Sequence, residues 1–325
     1  MNRRDTLLAI LSLCVGSRLV IAQPGPARLA LIASGAAEGG AALLAALRTG
    51  LRENGLAEGK DYVLDPFWAD GHYDRFPKLL EAALSRKPSI ILVMTIASAR
   101  AAQQATKAVP IVMVGLNDPV GSGLVASLAR PGGNTTGIAT MNDDRAAKLV
   151  EFVRESMPGA KRLAVLINPQ NPSNRPIFQS VQRAAAGAGM TAEVLEADAP
   201  ERIGGAFAAL SRTRPDALLT GFDSMLGENR AQIVSLATAR KIPVFSIGSA
   251  YADAGALLSY GVSGKFPVTR MAAAHVRKIL AGAKPADLPV EQPTNFELVI
   301  NLKTAKALGL KIPPSFVQRA DRVVE

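Results

Sequence analysis

The side chains able to do chemistry in this chain fall just after its apolar runs. Ser34 follows RLALIA, Thr95 and Ser98 follow SIILVM, and Asp118 follows IVMVGLN. Asn134, Thr135 and Thr136 stand together in PGGNTTG, Asn168 and Asn171 in INPQNP, Asp223 in GFDSM, and Tyr260 in ALLSYG. These are short hydroxyl and amide groups with two carboxylates, a set that donates and accepts hydrogen bonds and can hold an ammonium. It is poorly equipped to transform what it holds. The two histidines, His72 and His275, are far apart and have no partner at metal-ligand spacing. No G-x-S-x-G elbow appears, so a serine nucleophile with its base is not indicated. SGAAEGGAA after the first apolar run lacks both G-x-G-x-x-G and a following Lys-Ser/Thr, which argues against a nucleotide. The residues therefore predict binding without catalysis, with no metal and no cofactor. Four of these positions have a plain alternative: Asp118, before Pro119, and Asp223 in GFDSM can each be a turn or cap residue, Tyr260 can cap a sheet, and His275 in TRMAAAHVRKIL reads as a partly exposed helix residue.

Such side chains need elements that bring them to one place. From Arg28 the chain alternates strand-length apolar runs (RLALIAS, SIILVMT, VPIVMVGL) with helical stretches such as AALLAALRTGLRENG and YDRFPKLLEAALSRKP. Strands apolar on both faces and separated by helices predict a parallel sheet covered on both sides. After Thr140 the rhythm restarts with AAKLVEFVRESMPG, KRLAVLIN and their successors. Two doubly wound α/β lobes are expected, with the Gly- and Thr-rich SLARPGGNTTGIAT at the seam. In open sheets of this kind ligands bind beyond the carboxyl ends of the strands, where the residues above fall.

A length of 325 residues suits about two domains. The first 22 residues read as a cleaved export signal: Arg3 and Arg4, an apolar stretch around Leu7 to Val15, and Val20-Ile21-Ala22 before Gln23. Cys14, the only cysteine, lies inside that segment, so disulfides and thiol catalysis are not expected beyond it. The formal charge is +10, and it stays basic when Arg3, Arg4, Arg18 and Asp5 are removed. The basic residues are scattered and not interleaved with aromatics, which disfavours nucleic acid as a partner.

Four strings then stand together in order: GLRENGLAEGKDY, WADGHYDRFPKL, ATKAVPIVMVGLNDPVGSGLVASLARPGGNTTG, and RKILAGAKPADLPVEQPTNFELVINLKTAKALGLKIPPSFVQRAD. Across about Arg28 to Glu325 the chain resembles the ABC transporter substrate-binding proteins of the tryptophan/tyrosine-binding type. The resemblance implies a type I periplasmic-binding-protein fold, two lobes joined by a three-stranded hinge. It implies a first lobe of 27–138 plus 261–293 and a second of 139–260 plus 294–325. On this reading Thr136-Gly137-Ile138 begins the first hinge crossing, and Asn134 and Thr135 face the cleft. A periplasmic, monomeric receptor is implied, taking an amino acid or related organic acid to an inner-membrane ABC permease. Asp118, Asn134, Thr136, Thr95, Ser98, Asn168 and Asn171 match the family's strings, and Asp223 is a further candidate.

Departures bear on the ligand. Phe67 stands where relatives often carry Arg before WADG, Gly255-Ala256 replaces a Gly-Gly, and FSIGSAYADAG lacks the Tyr-x-x-Arg-Glu-Phe of many relatives. The alternative classes are a ligand-sensing effector domain, which would want a helix-turn-helix at the amino end, and an α/β enzyme acting on a small carboxylate.

Overall fold

The computed structural model describes residues 25–264 and 267–325, so the expected export signal lies outside the described residues. The first sheet has five strands, β1 (Ala27–Ala33), β2 (Tyr62–Trp68), β3 (Ile90–Val93), β4 (Ile111–Asn117) and β5 (Thr135–Thr140), in the order β2-β1-β3-β4-β5. All its pairings are parallel. Every residue of β3 is buried, as both-face coverage requires, and this explains the unbroken IILV run. Helices α1 (Ala41–Glu53), α2 (Phe76–Ser85) and α3 (Ile96–Ala105) follow the first three strands.

The second sheet has seven strands, β6 (Arg162–Ile167), β7 (Thr191–Glu196), β8 (Ala217–Thr220), β9 (Val244–Ser246), β10 (Leu258–Val262), β11 (Phe296–Asn301) and β12 (Arg322–Val324). Their order is β12-β11-β10-β9-β8-β6-β7, parallel except where β10 meets β11. Helices α4 (Asn142–Ser156) and α5 (Asn174–Gly187) cover one face through Leu149, Val153, Ile177 and Val181. The other face carries α6 (Ile203–Thr213), α7 (Ser224–Glu228), α8 (Arg230–Ala239) and α9 (Ala250–Asp253), packed through Phe207, Leu226, Ile233 and Tyr251. The chain then returns: α10 (Val268–Leu280) lays Ala272, Ala273 and Val276 against Leu47 and Leu51 of α1, completing the first lobe. Short helices α11 (Leu302–Ala307) and α12 (Pro314–Val317) close the second.

Two doubly wound lobes therefore form, and three connections join them: β5 to α4, β10 to α10, and the stretch between Glu291 and β11. The third is tied to the first, because Glu291 donates its N–H to Gly137 and accepts that of Ala139, at 2.9 and 2.8 Å. The first crossing starts later than the sequence suggests. Thr136-Gly137-Ile138 lies inside β5, buried and paired with β4, and the strand ends only at Thr140. His275 is also not the exposed helix residue expected. It is fully buried, with Nε2 at 3.0 Å from the Pro289 carbonyl. The turn glycines Gly132 and Gly133 do adopt positive φ, 69° and 66°, as the reversal before β5 demands.

Candidate ligand-binding site

A cavity of about 420 Å³ opens between the carboxyl ends of the two sheets. The first lobe contributes Met94, Thr95 and Ile96 at the end of β3 and Gly115 to Asn117 at the end of β4. The hinge contributes Thr140, Asn142 and Arg145, and the second lobe Asn171, Asp223, Ser224 and Ser249. Its apolar wall includes Leu116, Phe222, Ile247, Val262 and Val268. This mixture of an apolar wall with a few fixed polar groups is what small-molecule sites require.

Asp223 is the most heavily bonded side chain here. It caps the short helix α7, its Oδ1 accepting the Leu226 N–H at 3.2 Å and the Asn168 Nδ2 at 3.5 Å. Its Oδ2 accepts the Asn171 amide at 2.8 Å and the Tyr73 hydroxyl at 2.6 Å. Tyr73 belongs to the first lobe, so this last bond spans the cleft. Burial, followed by the neighbouring Asp223 charge, pushes the Tyr73 phenol well above its ordinary range, which keeps it a donor. The three asparagines of INPQNPSN act as one scaffold. Asn174 Oδ1 accepts the Asn168 N–H at 3.0 Å, its amide donates to the Phe222 carbonyl at 3.0 Å, and Asn171 accepts the Ser173 hydroxyl at 2.7 Å. The βα loops after β6 and β8 are thereby locked to each other.

Thr95 and Ser98 form a capping box on α3: Thr95 Oγ1 accepts the Ser98 N–H at 3.0 Å, and Ser98 Oγ accepts the Thr95 N–H at 3.1 Å. Their hydroxyls order the helix end, where Thr95 and Ile96 border the cavity. Ser34, buried just after β1, lies beside Tyr73.

Of the candidates, Thr95, Asn171 and Asp223 line the cavity; Ser98 and Asn168 are buried behind Thr95 and Asp223, Ser34 is buried beside Tyr73, and the structure brings none of the rest to it. Asn134 donates to the Thr106 and Val109 carbonyls at 3.1 and 2.8 Å, Thr135 accepts from Gln103 at 2.8 Å, and Thr136 donates to the Leu288 carbonyl at 2.7 Å. They sit at the amino end of β5, and ligands meet the other end, where Thr140 stands. Asp118 follows β4 as expected, but its φ of 39° turns the side chain back, and Oδ1 accepts the Gly121 N–H at 2.8 Å. This is an Asx-type turn, the simpler of its two readings. Tyr260 packs edge-on to Phe152, 5.3 Å between ring centroids, and lines a separate hollow behind the hinge with Met141 and Phe296.

Three residues were not legible as site groups. Tyr73 reads as the start of an amphipathic helix. Arg145 stands in the polar-looking NDDRAAK, although its spacing to Leu149, Phe152 and Ser156 puts it on the buried stripe. That cation on a core stripe is the signal that was available. Glu228, an exposed residue at the end of α7, turns its carboxylate across the cleft to the Ala36 N–H. Gly35 makes room for it, since a Cβ there would lie 1.7 Å from Glu228 Oε2.

Desolvation of that carboxylate raises its pKa to about 7 from 4.5, with Asp223 adding repulsion and Arg230 opposing it. A raised acid pKa means the structure with the lobes in contact holds a proton that the separated lobes release. Its stabilising contribution is complete below the ordinary value and lost as the pH rises through about 7. Lobe contact, and any affinity coupled to it, is therefore expected to weaken from about pH 4.5 to about pH 7 and to level off above that. Glu228→Gln should flatten that profile. Titration calorimetry at the two pH values checks it, and a slope unchanged in the variant would assign the dependence elsewhere.

A two-lobed α/β protein with a three-stranded hinge and an inter-lobe cavity is of the type I periplasmic-binding-protein class. More particularly, the chain belongs to the ABC transporter substrate binding protein family, whose profile matches residues 37–324. A tyrosine-binding protein of Clostridioides difficile (strain R20291) is 26% identical over 261 residues, 80% of this chain and 74% of that one. The structure of an ABC domain in complex with L-Trp from Streptococcus pneumonia superposes with a TM-score of 0.83 at 23% identity, covering 92% of this chain and all of that one. The ligand-free, open structure of a substrate binding protein with adhesive properties from Clostridium difficile gives 0.61 at 23% identity, covering 92% and 99%.

Proposed function

We propose that this chain is an exported solute receptor that captures a small amino-acid-like ligand between its lobes and hands it to an inner-membrane ABC permease. The observation that carries the reading is the cavity lined from both lobes, beside the buried Tyr73–Asp223 bond that joins them, a pocket that one lobe cannot form alone. A volume of 420 Å³ lies within the roughly 300–1,000 Å³ usual for small-molecule sites. The moving bodies would be 27–138 with 261–293 and 139–260 with 294–325, to within the few residues by which β5 and β10 overrun those bounds. Hinge closure of this kind turns rigid bodies about a few backbone positions. The better superposition on a tryptophan complex than on an open, ligand-free relative at the same identity supports a closed arrangement here. The export step rests on the sequence of residues 1–22 alone.

Relatives that take tyrosine or tryptophan make these the first solutes to try. A thermal-shift panel of tryptophan, tyrosine, phenylalanine and leucine, with myo-inositol as the uncharged control, tests the reading. A ligand at a hundred times its Kd stabilises the native state by about 2.7 kcal/mol, a shift of several degrees. A response to an amino acid is expected. A response to inositol alone would move the ligand class, and no response to any solute would remove the receptor reading.

A further inference from the structure

Arg145 is the one arginine buried among the described residues, 6% exposed, in the first turn of α4. Those arginines that form ion pairs are all at the surface, 38–74% exposed, from Arg28 to Arg202. Arg145 has no carboxylate within 4 Å among the described residues. Its Nη2 donates to Asn142 Oδ1, its guanidinium carbon lies 5.2 Å from the centre of the Phe296 ring, and its Nε is buried without a hydrogen-bond partner. Burial brings its pKa down to about 10. The group nevertheless stays protonated at neutral pH. A cation near a helix amino end also opposes the helix dipole. A buried charge without a counter-ion is costly unless something else supplies one. It borders the inter-lobe cavity and, through its contact with Phe296, the separate hollow it shares with Asp144 and Tyr260.

The carboxylate across the inter-lobe cavity is already satisfied. Asp223 accepts from Tyr73, Asn171, Asn168 and Leu226, all of the protein's own making. An ammonium would have to displace these bonds. The unmet electrostatic demand is for an anion.

We propose that Arg145 is the counter-charge for a ligand carboxylate at the hinge end of the cavity, so that the ligand class is a small apolar-bodied carboxylate whose amino group is dispensable. The inference rests on the reading of the cavity as the solute site and narrows it. A charge-assisted bond to a carboxylate would occupy Nε, and the body would lie along Leu116, Ile247 and Val262.

The test compares three solutes with one side chain: phenylalanine, 3-phenylpropionate without the ammonium, and 2-phenylethylamine without the carboxylate. Calorimetry on the native protein should show the two acids within about tenfold of each other and the amine at least about a hundredfold weaker. Arg145→Met should weaken both acids by about tenfold to a hundredfold. Without ligand the same variant should melt at or above the wild-type temperature, because removing an unpaired buried charge relieves strain that binding otherwise relieves. A merely structural arginine would instead lower the melting temperature and leave affinity intact. Arg145→Lys, which keeps the charge, should retain part of the affinity. The proposal is overturned if the amine binds as well as the acids, if phenylalanine needs its ammonium by more than about a hundredfold, or if Arg145→Met binds acids normally. Binding of inositol or the amine with no acid bound sinks the Arg145 assignment and leaves the receptor reading standing. No binding of any solute removes both.

Discussion

Replacing Asp223 by asparagine is expected to lower the melting temperature by roughly 5–10 °C and to weaken ligand binding by about a hundredfold. The side chain keeps its size, so the effect is one of hydrogen-bond polarity. In the native arrangement both carboxylate oxygens accept: Oδ1 from Leu226 and Asn168, Oδ2 from Tyr73 and Asn171. An asparagine offers one acceptor and one donor, so one pair of donors must face an N–H₂ group whichever way the amide turns. If the amide nitrogen faces Tyr73 and Asn171, the bond across the cleft is lost. If it faces Leu226, the cap of α7 is lost, along with the loop that presents Ser224 to the cavity. Each buried donor left without an acceptor costs about 1–3 kcal/mol, and two give roughly 3 kcal/mol or more. Asp118→Asn is the matched control. Its single bond to the Gly121 N–H uses one oxygen, which an asparagine retains, so melting and binding should change little. Melting curves and calorimetry on both variants decide it. Equal behaviour of the two would refute the assignment of Asp223 as the centre of the inter-lobe network.

The contrast between these aspartates shows how far the sequence could be read. Both follow a buried strand in a parallel sheet, and both were candidates for that reason. Strand position was legible because a strand covered on both faces must be apolar through its buried length, as IILV and the LAVLI of Leu163 to Ile167 are. The direction in which a loop side chain turns was not. It depends on φ at one residue, 39° at Asp118 against −145° at Asp223. The same limit explains Asn134 to Thr136. Their polarity marked them as site residues, but only the length of β5 shows that they open the strand and that Thr140 closes it. Tyr73, Arg145 and Glu228 were missed for another reason. Their roles arise from contacts across the cleft or the hinge, between segments far apart in sequence, and no local pattern encodes such contacts. Arg145 left a partial trace, a charge on an apolar stripe. Without knowing which stripe faces the cavity, that trace does not identify a ligand group.

Gly137→Ala is expected to prevent the protein from reaching its native state, or to leave it unstable enough to be recovered mainly as aggregate. The residue sits in β5 at φ 130°, a conformation in which an L side chain is strained, and the surrounding space makes that strain unavoidable. A Cβ at this position would lie 2.3 Å from the Met113 carbonyl oxygen and 2.5 Å from the Met113 nitrogen. Those atoms belong to the backbone of β4, whose pairing with β5 aligns Met113 with Gly137, so no side chain can move aside to relieve the contact. The strand would have to separate locally. It would then lose its ladder bonds to β4 and the bonds that tie Glu291 to Gly137 and Ala139. Two hinge connections would be disturbed by one methyl group. Backbone strain alone is worth about 1–3 kcal/mol, and lost buried backbone bonds add about 1–3 kcal/mol each, a large share of the 5–15 kcal/mol that holds an ordinary domain folded. Gly132→Ala provides the comparison, since its φ is 69° but nothing lies within 4 Å of the added carbon. It should lose only about 1 kcal/mol and remain soluble and competent to bind. Expression yield, circular dichroism and chemical denaturation of the two variants measure the difference. If Gly137→Ala folds with the stability of Gly132→Ala, the close approach of β4 and β5 at the root of the hinge is not as tight as these distances make it.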